Sequence, residues 1–261
     1  MPLLPDAPPA RRVMSPDGVG IASYEWGDPD APTVVAVHGF ASSAVANWHV
    51  TGWTRALTRA GLHVLALDQR GHGASDKPHA PGDYSMAILV ADLLAVVDTH
   101  LVDEFALLGY SLGARVGWHA ALQLPQRLTR AVLGGILDGD PLTRFAVDEA
   151  RAYAAGGPRP GDALTRSYLD MVEGMPGNDL GSLVNLVEGM RGGAQPDPAH
   201  PPQQPVLFAT GTDDPIFEAS RRLAAAAPRG SFLEIPDRNH FNAPTSRVFR
   251  EAGTAFLGES A

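Results

Sequence analysis

Short apolar runs recur along this chain with helix-length stretches between most of them, and that alternation constrains the fold more than any other feature. The runs cover 33–37, 64–67, 105–108, 131–137, 205–209 and 231–235, each rich in Val, Leu, Ile, Phe or Ala. Runs this short, often closed by Gly, Pro or Asp, suit buried strands better than helices. Ala-rich or amphipathic stretches at 51–60, 85–100, 112–124, 217–227 and 245–257 read as the intervening helices. A strand that returns to its sheet through a helix lies parallel to its predecessor. The sheet is therefore largely parallel and covered on both faces. Residues 11–14 and 20–26 read as an antiparallel hairpin arm. The expected class is α/β: a mostly parallel sheet of about eight strands, helices on both faces.

The alternation breaks between 138 and 204. Gly156-Gly157-Pro158, Pro160-Gly161, Pro176-Gly177 and Gly192-Gly193 divide that stretch into short helical segments. Pro196-Asp197-Pro198-Ala199-His200-Pro201-Pro202 then leads back to the sheet as a rigid connector. We read 138–204 as a small helical cap inserted after the sixth strand, with 1–137 and 205–261 as the core domain. Within it, the segment from about 142 to 190 is expected to act as a mobile lid hinged at its Gly-Pro breaks.

The serine at position 111 sits where such a fold concentrates chemistry. Gly109-Tyr110-Ser111-Leu112-Gly113 follows one strand and opens the helix that Pro125 later stops. In a sharp strand-to-helix turn the serine is thrust out above the sheet, and glycines on either side prevent collisions. A serine hydroxyl needs a base to take its proton, and the base needs an orienting carboxylate. Downstream, Asp213 and Asp214 follow the seventh strand and His240 follows the eighth; Asp138, after the sixth, is a third acid candidate.

Composition narrows the partners. The 261 residues are 44% hydrophobic and 19% charged, ordinary for a globular protein. A formal net charge of -9 argues against nucleic acid and anionic membrane surfaces. The absence of cysteine excludes disulfides, thiolate catalysis and zinc-thiolate sites. No apolar run is long enough to span a bilayer, and the first residues lack the basic and apolar regions of a secretory signal. A cytoplasmic protein without a membrane span is expected, its oligomeric state open. No histidine spacing supports a metal.

Five segments together carry a family resemblance: His38-Gly39-Phe40, Asp68-Gln69-Arg70-Gly71-His72-Gly73-Ala74-Ser75, the turn at Ser111, Gly211-x-x-Asp214 and Asn239-His240. In this order they resemble the α/β-hydrolase superfamily over nearly the whole chain. The second segment is similar to the D-x-R-G-x-G-x-S loop of esterases, C–C hydrolases and cofactor-free haloperoxidases. The resemblance implies a Ser111-His240-Asp214 triad, because the acid stands fourth from the glycine, ahead of Asp213 and Asp138. It implies an oxyanion hole from the backbone N–H groups of Phe40 and Leu112, and neither cofactor nor metal. Haloalkane dehalogenases and epoxide hydrolases of this fold carry aspartate at the nucleophile position, so a serine points instead to acyl transfer.

The expected activity is hydrolysis of a small or medium hydrophobic ester or lactone. Alternatives are C–C bond hydrolysis of the meta-cleavage type, cofactor-free perhydrolysis and, outside catalysis, a hydrolase-like ligand sensor. Candidate pocket residues are Tyr110, Phe145, Tyr168, Met171 and Phe241. Among Arg144, Arg151, Arg166 and Arg191 of the cap, one facing inward would bind a substrate carboxylate. His38 and His72 are expected to pack loops beside the site, Asp68 and Arg70 to lock theirs, and His119 to be a satisfied core or interface residue.

Overall fold

A computed structural model describes residues 7–259. Eight strands form one sheet: β1 (Arg11–Met14), β2 (Gly20–Trp26), β3 (Thr33–Val37), β4 (His63–Leu67), β5 (Phe105–Tyr110), β6 (Leu128–Gly134), β7 (Val206–Gly211) and β8 (Gly230–Ile235). Their order is β1-β2-β4-β3-β5-β6-β7-β8. β1 and β2 form an antiparallel arm that joins β4, and every other pairing is parallel. All residues of β4, β5 and β7 are buried, which is why these strands read as unbroken apolar runs rather than alternating ones.

Two cores lie on opposite faces. Along β3, Val34 and Ala36 join Trp53 and Leu57 of α1 (Trp53–Arg59) and Phe249 of α8 (Arg247–Leu257). Val35 and Val37 point the other way, as the two-residue period of a strand requires. They join Leu93 of α2 (Met86–Thr99), Trp118 of α3 (Leu112–Gln123) and Leu223 of α7 (Phe217–Ala226).

One strand departs from the sequence reading. β6 starts earlier and stops at Gly134, because Gly135 takes φ +59 and turns the chain. Ile136 and Leu137 are apolar but lie beyond the sheet. The early start was hidden by Arg130, a charged residue inside the strand whose guanidinium reaches out to Phe256 O and Glu259.

Between β6 and β7 the chain makes an excursion through α4 (Val147–Ala154), α5 (Ala163–Gly174) and α6 (Leu180–Met190). Asp162 and Asp179 cap α5 and α6, each accepting a backbone N–H at 2.7 Å. The excursion docks onto loops at the carboxyl end of the sheet. The hydroxyls of Tyr84 and Ser182 meet at 2.5 Å, and Asn178 Nδ2 donates to Ala41 O at 3.1 Å. Gly189 lets α6 approach closely, since a Cβ there would fall 2.1 Å from Pro81 O. Among the described residues no helix is long and apolar enough to cross a membrane.

Candidate active site

Ser111 joins β5 to α3 with φ 53 and ψ -114, a conformation few non-glycine residues tolerate. Its N–H donates to Gly134 O at 2.8 Å, tying the turn to β6. Packing explains the framing glycines. A Cβ on Gly113 would sit 2.0 Å from Val37 O, and one on Gly109 would sit 2.5 Å from Gly113 O. Neither contact can relax, because both meet backbone.

His240, on the loop after β8, bridges Ser111 and Asp214. Its Nδ1 lies 2.7 Å from Asp214 Oδ2, and its Nε2 lies 2.9 Å from Ser111 Oγ. An ionised carboxylate only accepts, so Nδ1 carries the hydrogen and Nε2 is left to accept from the serine hydroxyl. Asp214 is buried, and its other oxygen accepts the Ile216 N–H at 3.1 Å. Tyr110, next to the serine, donates its hydroxyl to His240 O at 2.6 Å and fixes the histidine loop from below. Burial, and then Asp214, holds that phenol well above its usual range, so it remains a neutral donor.

The rival acids are elsewhere. Asp213 is exposed, and the Asp138 carboxylate faces Arg222 at 3.0 Å.

The N–H groups of Phe40 and Leu112 donate to no acceptor among the described residues. For Leu112 this follows from its place at the start of α3, where the first N–H groups have no partner within the helix. Phe40 follows Gly39, where a Cβ would lie 3.3 Å from the Ser111 Cβ, so this loop passes directly over the serine. Asn47 Oδ1 accepts the Gly39 N–H at 3.2 Å and holds the loop there.

Beneath it, the 68–75 segment is locked as expected. Asp68 accepts from Ala44 N at 2.7 Å and Ala74 N at 2.8 Å. Arg70 makes a forked pair with Asp92, 2.6 Å on each arm, and a further bond to Asp17 at 2.8 Å. His38 and His72 each accept a backbone N–H at 3.0 Å, from Gln69 and Ala41. Burial pushes both histidines below their usual range, so they act as neutral struts.

Two cavities meet over the serine. The first, about 400 Å³, is lined by Tyr110, Met171, Met175 and Pro244 among others. The second, about 470 Å³, runs over Leu112, Arg115, Leu142, Leu164 and Leu186. Phe40, Ser111, Tyr168, His240 and Phe241 line both. Of the expected pocket residues, Tyr110, Tyr168, Met171 and Phe241 reach this space. Phe145 does not. It is buried behind Tyr168, ring centroids 5.8 Å apart, because the short helical turn at Pro141–Arg144 directs it into the core.

Of the cap arginines, Arg144, Arg151 and Arg191 are exposed and Arg166 is half-buried. Arg151 pairs with Glu188, Arg166 binds the carbonyls of Pro160 and Gly161, and Arg191 donates to Thr143 O. Of the four, only Arg144 lines either cavity over the serine. Arg115 of α3, not anticipated, lines the second cavity and is buried at 4% exposure. Its signal in the sequence was a lone charge within an Ala- and Leu-rich helix. His119, one turn further on, is buried, but its Nε2 has no protein partner, contrary to expectation. Among the described residues no group of three or more His, Asp or Glu could hold a metal ion.

A family profile described as "alpha/beta hydrolase fold" matches residues 32–155. Epoxide hydrolase A of Mycobacterium tuberculosis is 39% identical over 44% of this chain, and the match spans only 34% of that relative. RutD of Klebsiella pneumoniae, named as a candidate carbamate hydrolase, is 28% identical over 85% of this chain and 88% of its own. The solved enol-lactonase of Burkholderia xenovorans superposes with a TM-score of 0.77 at 24% identity, covering 96% of this chain and all 100% of that one. Sheet order, serine turn and these matches agree: the chain has the α/β-hydrolase fold.

Proposed function

We propose that this hydrolase cleaves an ester or lactone of a small or medium hydrophobic substrate through an acyl-enzyme on Ser111. The unbroken hydrogen-bond path from Asp214 through His240 to Ser111 carries the proposal, at 2.7 and 2.9 Å. His240 Nε2 takes the serine proton as Oγ attacks the carbonyl carbon, then returns it to the leaving alcohol. Asp214 keeps the ring in the required tautomer and stabilises the imidazolium. The free N–H groups of Phe40 and Leu112 receive the oxyanion, where fixed donors lower the barrier most. Water then repeats the attack with His240 as base and releases the acid. In the proposal, residues 138–204 act as the cap, their apolar side chains selecting the substrate's larger group.

Several relatives are named as epoxide hydrolases. Serine at position 111 disfavours that chemistry here, because epoxide opening in this fold proceeds through a carboxylate nucleophile. A second reading has support from the relative matched over most of its length: a carbamate carbonyl would use the same serine, oxyanion donors and proton path. Labelling of Ser111 by a fluorophosphonate, followed by chromogenic esters of graded acyl length and one matched carbamate, tests both. Absence of labelling on the folded protein would refute the acyl-enzyme.

A further inference from the structure

Arg115 is a buried charged side chain that forms no direct ion pair among the described residues, although the Asp140 carboxylate acts on it from the same cavity lining. Its backbone N–H donates to Ser111 O at 3.1 Å, so it stands one helical turn from the serine on the same face of α3. Helical side chains lean toward the N-terminus, which directs this one toward the cavity above Ser111. It is buried at 4% exposure and lines the second cavity. One terminal nitrogen donates to Gln195 Oε1; Nε is buried without a partner, and no ion pair engages the guanidinium among the described residues. Asp140 lines the same cavity, but its two oxygens accept N–H groups from Leu142 and Gly192 at 3.0 and 2.8 Å. Nearby His119 is neutral in its buried setting. Burying an unpaired guanidinium is strongly unfavourable unless something supplies its missing acceptors.

We propose that Arg115 is a substrate-binding residue that receives a carboxylate carried by the substrate at its non-scissile end. The inference rests on the acyl-transfer reading above and narrows it: the preferred substrate is a hydrophobic ester or lactone bearing one anionic group. The terminal N–H groups not engaged by Gln195 are the donors that a carboxylate matches. The apolar walls at Leu142, Leu164 and Leu186 hold the carbon chain between the two ends. Exposed Arg144, on the same lining, adds a second positive charge.

Paired substrates test this. Mono-p-nitrophenyl glutarate and adipate are compared with their methyl esters, and p-acetoxybenzoate with its methyl ester, so that either side of the scissile bond can carry the anion. The wild type should favour the anion by roughly 10–100-fold in kcat/KM in at least one pair, the range expected for hydrogen bonds to a charged group. In Arg115→Met that ratio should collapse toward one, and Arg115→Lys should retain part of it. The melting temperature of Arg115→Met should hold or rise, because an unpaired buried charge is removed.

Calorimetric titration of monomethyl adipate and dimethyl adipate into Ser111→Ala protein reads the same anion preference without turnover. Ester turnover absent but anion binding present, and lost in Ser111→Ala/Arg115→Met, would sink the acyl-transfer reading and leave the anion site standing. A wild type with no anion preference in any pair and in the titration overturns the proposal. So does an Arg115→Met protein that melts lower with its ratio unchanged, since Arg115 would then be a structural cation. Should Arg115→Met fail to fold, an unchanged ratio in Arg115→Lys overturns the proposal equally.

Discussion

The floor beneath Ser111 and the roof above it are built by different means. On the floor, position is set by backbone meeting backbone: Gly113 against Val37 O, Gly109 against Gly113 O, Ser111 N on Gly134 O. Apart from the close approach at Gly189, the roof, α4 to α6, is held by side chains, among them the exposed Arg151–Glu188 pair, the Tyr84–Ser182 hydroxyl contact and the apolar faces of Leu169, Leu183 and Leu186. Backbone collisions admit one residue type, whereas side-chain packing admits many. The floor is therefore suited to invariant chemistry and the roof to adjustable recognition.

The largest expected effect breaks the floor at its centre. Ser111→Ala should lower kcat by ~10⁴–10⁶ while the melting temperature stays near that of the wild type. Comparable ester turnover by the two proteins would remove Ser111 from the mechanism. Next, Asp214→Asn should cost about 10⁴ in kcat by favouring the wrong histidine tautomer. Asp213→Asn and Asp138→Asn should be mild. If either of those is the crippling change, the carboxylate assignment is wrong despite the 2.7 Å contact.

Acid should weaken the floor before the roof. His119 is held down to about 4 by burial and then by Arg115, and His38 and His72 are lowered by burial. A histidine in the unfolded chain titrates near ~6.5, so between about 6.5 and 4 the unfolded state binds more protons than the folded one. Stability is thus full above that window and falls as pH drops through it. The His119 share is on the order of 2–3 kcal/mol. Thermal melts at stepped pH should show a shallower decline in His119→Leu than in wild type; parallel curves would mean His119 is not the linked group. The stretch 138–190 contains no histidine and should not contribute.

The smallest effect is on the roof. Met171→Ala should shift the ranking of acyl lengths by tens-fold without abolishing hydrolysis of a small ester, as one or two methylenes of pocket allow. An unchanged ranking would place Met171 outside the recognition surface, although it lines the first cavity.

The same contrast explains what could be read in advance. Gly109, Gly113 and the apolar strands announce themselves because only those residue types fit, and Asp214 and His240 follow from their places after strands. Roof residues carry no such mark: Phe145 and Tyr168 are adjacent aromatics, yet one faces the core and the other the cavity. Nor did Arg130 advertise a strand or Arg115 a cavity, because both depend on partners distant in sequence, Phe256 and Gln195.

Two cavities meeting at one serine also turn a division of space into an order of events. Under the proposed acyl transfer, with the two halves of the substrate seated in separate chambers, the group that leaves first would empty its own chamber while the acyl portion still fills the other. Whatever next enters the vacated chamber stands beside His240 with the acyl carbon in reach. Water is the default visitor, but a small alcohol or amine shaped for that chamber would intercept the acyl-enzyme ahead of it. In that reaction, the chamber that selects a leaving group would also select an acceptor, and acyl exchange would be the matching side reaction.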